Sequence, residues 1–118
     1  MIVQIFGVKK SQATRAAERF FKERRIQIQK IDLDQKPIAP GEIRRFVDRF
    51  TWAGLLDTTS HAYTNAGLKY LKLSDSDTLE RVTREPLLLR LPLVRAGNRI
   101  SIGHDEAGWL EMAAAPPR

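Results

Sequence analysis

From Met1 to Phe6 apolar and polar positions alternate loosely, the residues are β-branched or aromatic, and Gly7 closes the run. That pattern predicts a strand. The period changes at Ser11: Ala13, Ala16, Ala17, Phe20 and Phe21 recur at helical spacing, with Arg15, Glu18, Arg19, Lys22 and Glu23 between them. A helix capped by Ser11 and ending at Arg24 or Arg25 follows, its last turn basic where the helix dipole favours cations. Ile26, Ile28 and Ile31 mark a second strand over 27–32, which completes a βαβ unit expected to cross over right-handed.

Asp32 to Ala39 reads as a loop, and Pro40-Gly41-Glu42 opens another helix with Ile43, Phe46, Val47 and Phe50 on one face. Gly54 is expected to break it. A connecting segment then runs from Leu55 to about Tyr63, followed by short helices at 64–71 and 75–84, the latter capped by Asp75 and stopped at Glu85-Pro86. Leu91-Pro92-Leu93-Val94, a turn at Ala96-Gly97-Asn98 and Arg99 to Gly103 give a β-hairpin signal, with Pro92 at a strand entrance. Asp105 or Glu106 opens a last helix holding Trp109, Leu110 and Met112, and the Ala-Ala-Ala-Pro-Pro-Arg end reads as a frayed tail. The sum is an α/β chain with a four-stranded mixed sheet, ordered β-α-β, helical insertion, β-β-α. It is expected to form one domain over 1–118, with a helical subdomain at about 40–85.

Composition narrows the chemistry. The 118 residues include no cysteine, which excludes a disulfide framework, a thiolate nucleophile and a thiolate metal site. His61 and His104 are too far apart to suggest a zinc cluster and read as surface residues; no metal and no cofactor is expected. The aspartate pairs Asp32/Asp34 and Asp75/Asp77 lack the length and glycine of a calcium loop. No run of about 18 apolar residues is present to span a bilayer, and the N-terminus lacks the pattern of a signal peptide, so the expected address is the cytoplasm. The net charge of +6 favours acidic partners. The basic residues are scattered along helices without a compact tract or an aromatic platform, a pattern that makes a solvated basic face the better reading than a nucleic-acid surface.

Between Gly7 and Arg15 a strand turns into a helix whose first N–H groups have no internal partners. Such a place can hold a small anion, reinforced by Lys9, Lys10 and Arg15. Gly7 stands alone there, with no Gly-Lys-Ser/Thr behind it, so this is no phosphate-binding loop. Ser11 has a capping role ready, and as a nucleophile it would need a base that the sequence does not place beside it.

The order Ile5-Phe6-Gly7, Ser11, Thr14-Arg15 resembles the opening of the arsenate reductase-like proteins, the ArsC, Spx and YffB group with a thioredoxin-like fold. The resemblance continues through Ile31-Asp32, Pro40-Gly41-Glu42-Ile43, Leu55 to Thr59, Tyr63, Glu85-Pro86-Leu87-Leu88, Arg90 to Val94, Gly97-Asn98-Arg99, Gly103 and Trp109. It implies a family pocket at Lys10, Ser11, Thr14, Arg15, Asp57, Arg90, Leu91 and Pro92, with Pro92 cis. At that pocket the chain departs from the pattern. Ser11 stands where family reductases carry the attacking cysteine, and a serine hydroxyl does not ionise near neutral pH as a helix-terminal thiol does. Leu91 stands where the family has the arginine that holds the oxyanion, and Arg90, one residue earlier, is expected on the other face. Asp57 and Thr64 occupy places where related sequences carry basic or amide residues, and an aspartate repels arsenate.

The expected function is therefore a non-catalytic, Spx-like module with a protein partner. The alternatives are an anion- or glutathione-binding protein using the start of the first helix, and a weak nucleic-acid binder; a homodimer stays open.

Overall fold

The computed structural model describes residues 2–114, and the chain folds into two compact units. One takes the two ends of the chain, up to Lys36 and from Leu91 onward; the other runs Pro37–Arg90. The first unit contains β1 (Ile2–Gly7), α1 (Gln12–Glu23), β2 (Gln27–Asp32), β3 (Leu93–Ala96), β4 (Arg99–Ile102) and α5 (Glu106–Ala114); the second contains α2 (Pro40–Leu55), α3 (His61–Asn65) and α4 (Asp75–Arg84).

The sheet has the order β2-β1-β3-β4, with β1 parallel to β2 and the β1–β3 and β3–β4 pairs antiparallel. Together with the βα crossover, this is the expected thioredoxin-like α/β arrangement with a mixed four-stranded sheet. Val3 and Ile5 of β1 and Val94 and Ala96 of β3 share a core with Ala17 and Phe21 of α1 and Trp109 and Met112 of α5. Both helices thus cover the same face of the sheet, which is what alternation along β1 permits. Phe21 and Trp109, each with almost no exposed surface, supply the largest apolar areas.

Helix α1 starts at its expected cap and closes with a Schellman pair: Ile26 N–H donates to Phe21 O at 3.0 Å and Arg25 N–H to Lys22 O at 2.9 Å. The left-handed position of that motif is Arg25, φ 58°, where glycine would be relaxed. The buried stripe of α1 is Thr14, Ala17 and Phe21. Ala13, Ala16 and Phe20, expected on the same footing as Ala17 and Phe21, are only half-buried.

The helical unit corrects three expectations. Gly54 does not end α2; the break is at Thr51, φ 63° and ψ 166°, and the helix resumes to Leu55. Gly54 serves closeness instead, since a Cβ there would lie 3.3 Å from Phe50 Cβ. The segment at 64–71 is not one helix: Ser60 caps a short helix over His61–Asn65, Gly67 turns left-handed, and a single 3-10 turn spans Leu68–Tyr70. Helix α4 is capped by Ser74, whose Oγ accepts from Asp77 N–H at 3.1 Å, and not by Asp75. Asp75 instead receives Arg44 through both carboxylate oxygens, at 3.0 and 2.7 Å, and the Trp52 indole N–H at 2.8 Å. Trp52 is half-buried and spends its polar edge inside this unit, tying α2 to the start of α4. At the C-terminus, Asp105 caps α5 through Gly108 N–H at 3.0 Å, and the helix includes Ala113 and Ala114. The rest of the expected tail lies outside the described residues.

Two outcomes follow. Arg25→Gly relieves the left-handed strain but gains unfolded-state freedom, so urea unfolding should show a rise in stability of up to about 1 kcal/mol. The Arg44 hydrogen bonds, and then that of Trp52, hold the Asp75 carboxyl at about 2 against an ordinary 3.8. A lowered folded-state pKa means that the contribution of Asp75 to stability is complete above 3.8 and is lost as pH falls through about 2. The Trp52 indole proton should shift in NMR spectra with that acid midpoint, and Asp75→Asn should abolish the transition.

Candidate functional site

The start of α1 is where a strand end, a loop and a helix terminus meet, so the local chemistry is set by how the loop is used. Ser11 N–H donates to Val8 O at 3.1 Å, closing the turn, and Ser11 Oγ accepts from Thr14 N–H at 3.1 Å. The serine is therefore engaged as the helix cap. No lysine or histidine is hydrogen-bonded to its Oγ among the described residues. Lys9 and Lys10 are exposed on the loop, and Arg15 is exposed on the first turn.

Thr14 behaves differently from its neighbours. It is only 3% exposed, and its Oγ1 has no hydrogen-bond partner among the described residues. The same side chain occupies the space where a Cβ on Gly7 would go, so Gly7 is there for a close helix–strand approach. The reading of the sequence missed this burial, although the 14, 17, 21 spacing carries the signal: those positions fall on one stripe of a helix.

The remaining residues of the expected pocket divide between the two units. Leu91 and Pro92 precede β3 in the sheet unit; Leu91 is 7% exposed, and the Leu91–Pro92 peptide bond is cis. Asp57 and Arg90 belong to the helical unit, where an isolated bridge between Leu56 and Leu89 brings their backbones together. Arg90 N–H donates to Leu55 O at 2.7 Å and Asp57 N–H to Leu88 O at 2.8 Å. Arg90 is exposed between buried Leu89 and Leu91, the alternation that places a residue on the opposite face from its neighbours. The Asp57 carboxylate is taken up locally, accepting from Thr59 N–H at 3.1 Å and Thr59 Oγ1 at 2.7 Å. Thr64 Oγ1 donates to Ser60 O at 3.3 Å.

His61 and His104 are both exposed, and His104 lies against the Trp109 ring with a 3.1 Å hydrogen-bond contact to Glu106. Among the described residues no group of three or more His, Asp or Glu is arranged to hold a metal ion, and no helix is long and apolar enough to cross a membrane.

The two polar groups at the start of α1 should respond oppositely to removal. Ser11→Ala loses a helix cap and should cost about 1 kcal/mol in denaturant unfolding. Thr14→Val replaces a buried unpartnered hydroxyl with a methyl of the same shape, and it should raise stability by about 1 kcal/mol.

Comparison with known proteins agrees with this architecture. The ArsC family model matches residues 6–112. Among solved structures, the YFFB protein superposes with a TM-score of 0.83 at 16% identity, covering 95% of this chain and 99% of that one. An arsenate reductase from Vibrio cholerae gives 0.80 at 19% identity, covering 95% and 98%. An arsenate reductase-related protein from Brucella melitensis gives 0.65 at 16% identity, covering 92% of each. At these identities the structural likeness shows the fold alone. Among curated proteins none matches the chain. The family match spans most of the sequence, and the chain belongs to the ArsC family.

Proposed function

From membership of the ArsC family without that family's cysteine, we propose that this chain is a protein-interaction or regulatory module and turns over neither arsenate nor disulfides. The observation that carries the reading is Ser11. It stands at the position that resembles the family's nucleophile, in a chain with no cysteine anywhere, and its hydroxyl is committed to the Thr14 amide at 3.1 Å. A hydroxyl without a base is a poor nucleophile and cannot cycle through a disulfide. Buried Leu91, at the place of the family's oxyanion-holding arginine, supports the same reading, because an apolar group offers no donors to a tetrahedral anion.

What the surface offers a partner is clearest in the helical unit. Tyr70 is 84% exposed and Leu71 46%, side by side and flanked by the exposed Lys69 and Lys72. An exposed aromatic beside an aliphatic residue is the composition of an interface anchor, and the lysines favour an acidic counterpart. Trp52 and Tyr63 are half-buried, so they lend the interaction reading less than Tyr70 does.

The test uses the purified, tagged chain. Arsenate or disulfide turnover with thiol reductants should be absent, and Ser11→Cys alone should not create it, since Leu91 is unchanged. Affinity capture should recover a defined partner that Tyr70→Ser/Leu71→Ser loses while its circular dichroism stays the same. Thiol-dependent turnover by the unaltered chain, or no partner under conditions where a control is recovered, would sink the proposal.

A further inference from the structure

The sheet unit holds a cavity that the residues discussed so far do not explain. It measures about 180 Å³ and lies along the β2 side of α1, lined by Ile5, Gly7 and Val8, by Thr14, Arg15 and Glu18, and by Lys9, Lys30, Ile31 and Asp32. Ser11, Leu91 and Pro92 are not among its walls, while Thr14 and Arg15 are shared with the expected family pocket, so the cavity adjoins that pocket on its β2 side.

Register explains why a cavity forms there. Ile5 pairs with Lys30 and Gly7 with Asp32 across the parallel β1–β2 ladder, so these four positions share the face under α1. Lys30 is exposed at the sheet edge, which leaves the volume beside Ile5 unfilled. Ile5 and Val8 give the inner walls their apolar character. The mouth is charged. Glu18 is paired with Lys30 at 3.9 Å, and an Asp32 oxygen accepts from Asp34 N–H at 3.0 Å. Lys9 and Arg15 make no ion pair or side-chain hydrogen bond among the described residues. The lining thus carries three cations, Lys9, Arg15 and Lys30, against the two carboxylates of Glu18 and Asp32, and the positive end of the α1 dipole lies in the same loop.

We propose that this cavity binds a small organic monoanion with a compact apolar body, the body against Ile5 and Val8 and the carboxylate at Lys9 and Arg15. Its volume corresponds to about six waters, which suits a single ring or a short branched chain and excludes a nucleotide. Bare phosphate satisfies the cations and leaves the apolar walls empty; a neutral ring does the reverse.

Benzoate is the direct probe, with benzyl alcohol and inorganic phosphate as its two halves, added to the full chain and followed by amide NMR shifts. Benzoate should give saturable shifts at Gly7, Val8, Thr14 and Asp32, with phosphate and benzyl alcohol each at least about fivefold weaker. Lys9→Ala and Arg15→Ala should each weaken benzoate binding about two- to fivefold, as exposed charge pairs do. Lys30→Trp, which fills the space from a strand-compatible position, should abolish the shifts, whereas Lys30→Thr should keep them within about fivefold. Equal binding of phosphate or benzyl alcohol overturns the proposal. So do shifts that do not saturate, shifts centred on Ser11 and Gln12, or a Lys30→Trp chain with unaltered thermal unfolding that still binds benzoate.

Discussion

Helix α1 can sit where it does because Gly7 has no side chain. Thr14 fills the space a Cβ would take, so the first turn of the helix approaches the end of β1 more closely than any other residue at position 7 would allow. Much of the sheet unit depends on that approach. It sets Ala17 and Phe21, one and two turns on, over Val3, Ile5 and Val94, and it brings Phe21 within 6.5 Å of the Trp109 ring on α5. The same approach leaves the Thr14 hydroxyl sealed without a partner, an energetic cost carried by the apolar contacts around it.

That constraint also determines how the loop before the helix is used. With the helix start fixed, Ser11 falls at the N-cap and satisfies the Thr14 amide, a role serine fills well and that makes no demand for reactivity. The scaffold needs only a capping residue at this point. The cap, the glycine contact and the βα crossover are all present in a chain that has no cysteine. The Leu91 side chain is likewise an apolar group that is stable when buried.

The sheet, its order of elements and the ends of α1 and β2 were legible in the sequence, because period changes and caps are local signals that tertiary packing here reinforces. The helical unit was harder, for a physical reason. A glycine suggested the break in α2, yet the chain breaks at a β-branched residue in a region of backbone space normally left to glycine, which costs roughly 1–3 kcal/mol. No propensity scale anticipates that. Asp75 misled similarly: it sits one residue after the true cap and has cap chemistry, but its carboxylate answers Arg44, which lies 31 positions earlier. The cavity beside α1 depends on the register of two strands, and a linear pattern does not state register.

The two units place their charged groups to different ends. In the helical unit the Arg44–Asp75 pair is bidentate and Asp75 shares one of its oxygens with the Trp52 indole, so the carboxylate is fixed by two partners. Such a pair is built for position: Trp52 is held just after the strained Thr51, where a displaced backbone would otherwise be free to relax into a continuous helix. In the sheet unit the pair at the edge is long, 3.9 Å, and the neighbouring Lys9 and Arg15 have no ion pair among the described residues. Cations that neither hold the fold nor answer one another contribute repulsion to the folded state. An anion brought to them relieves that repulsion.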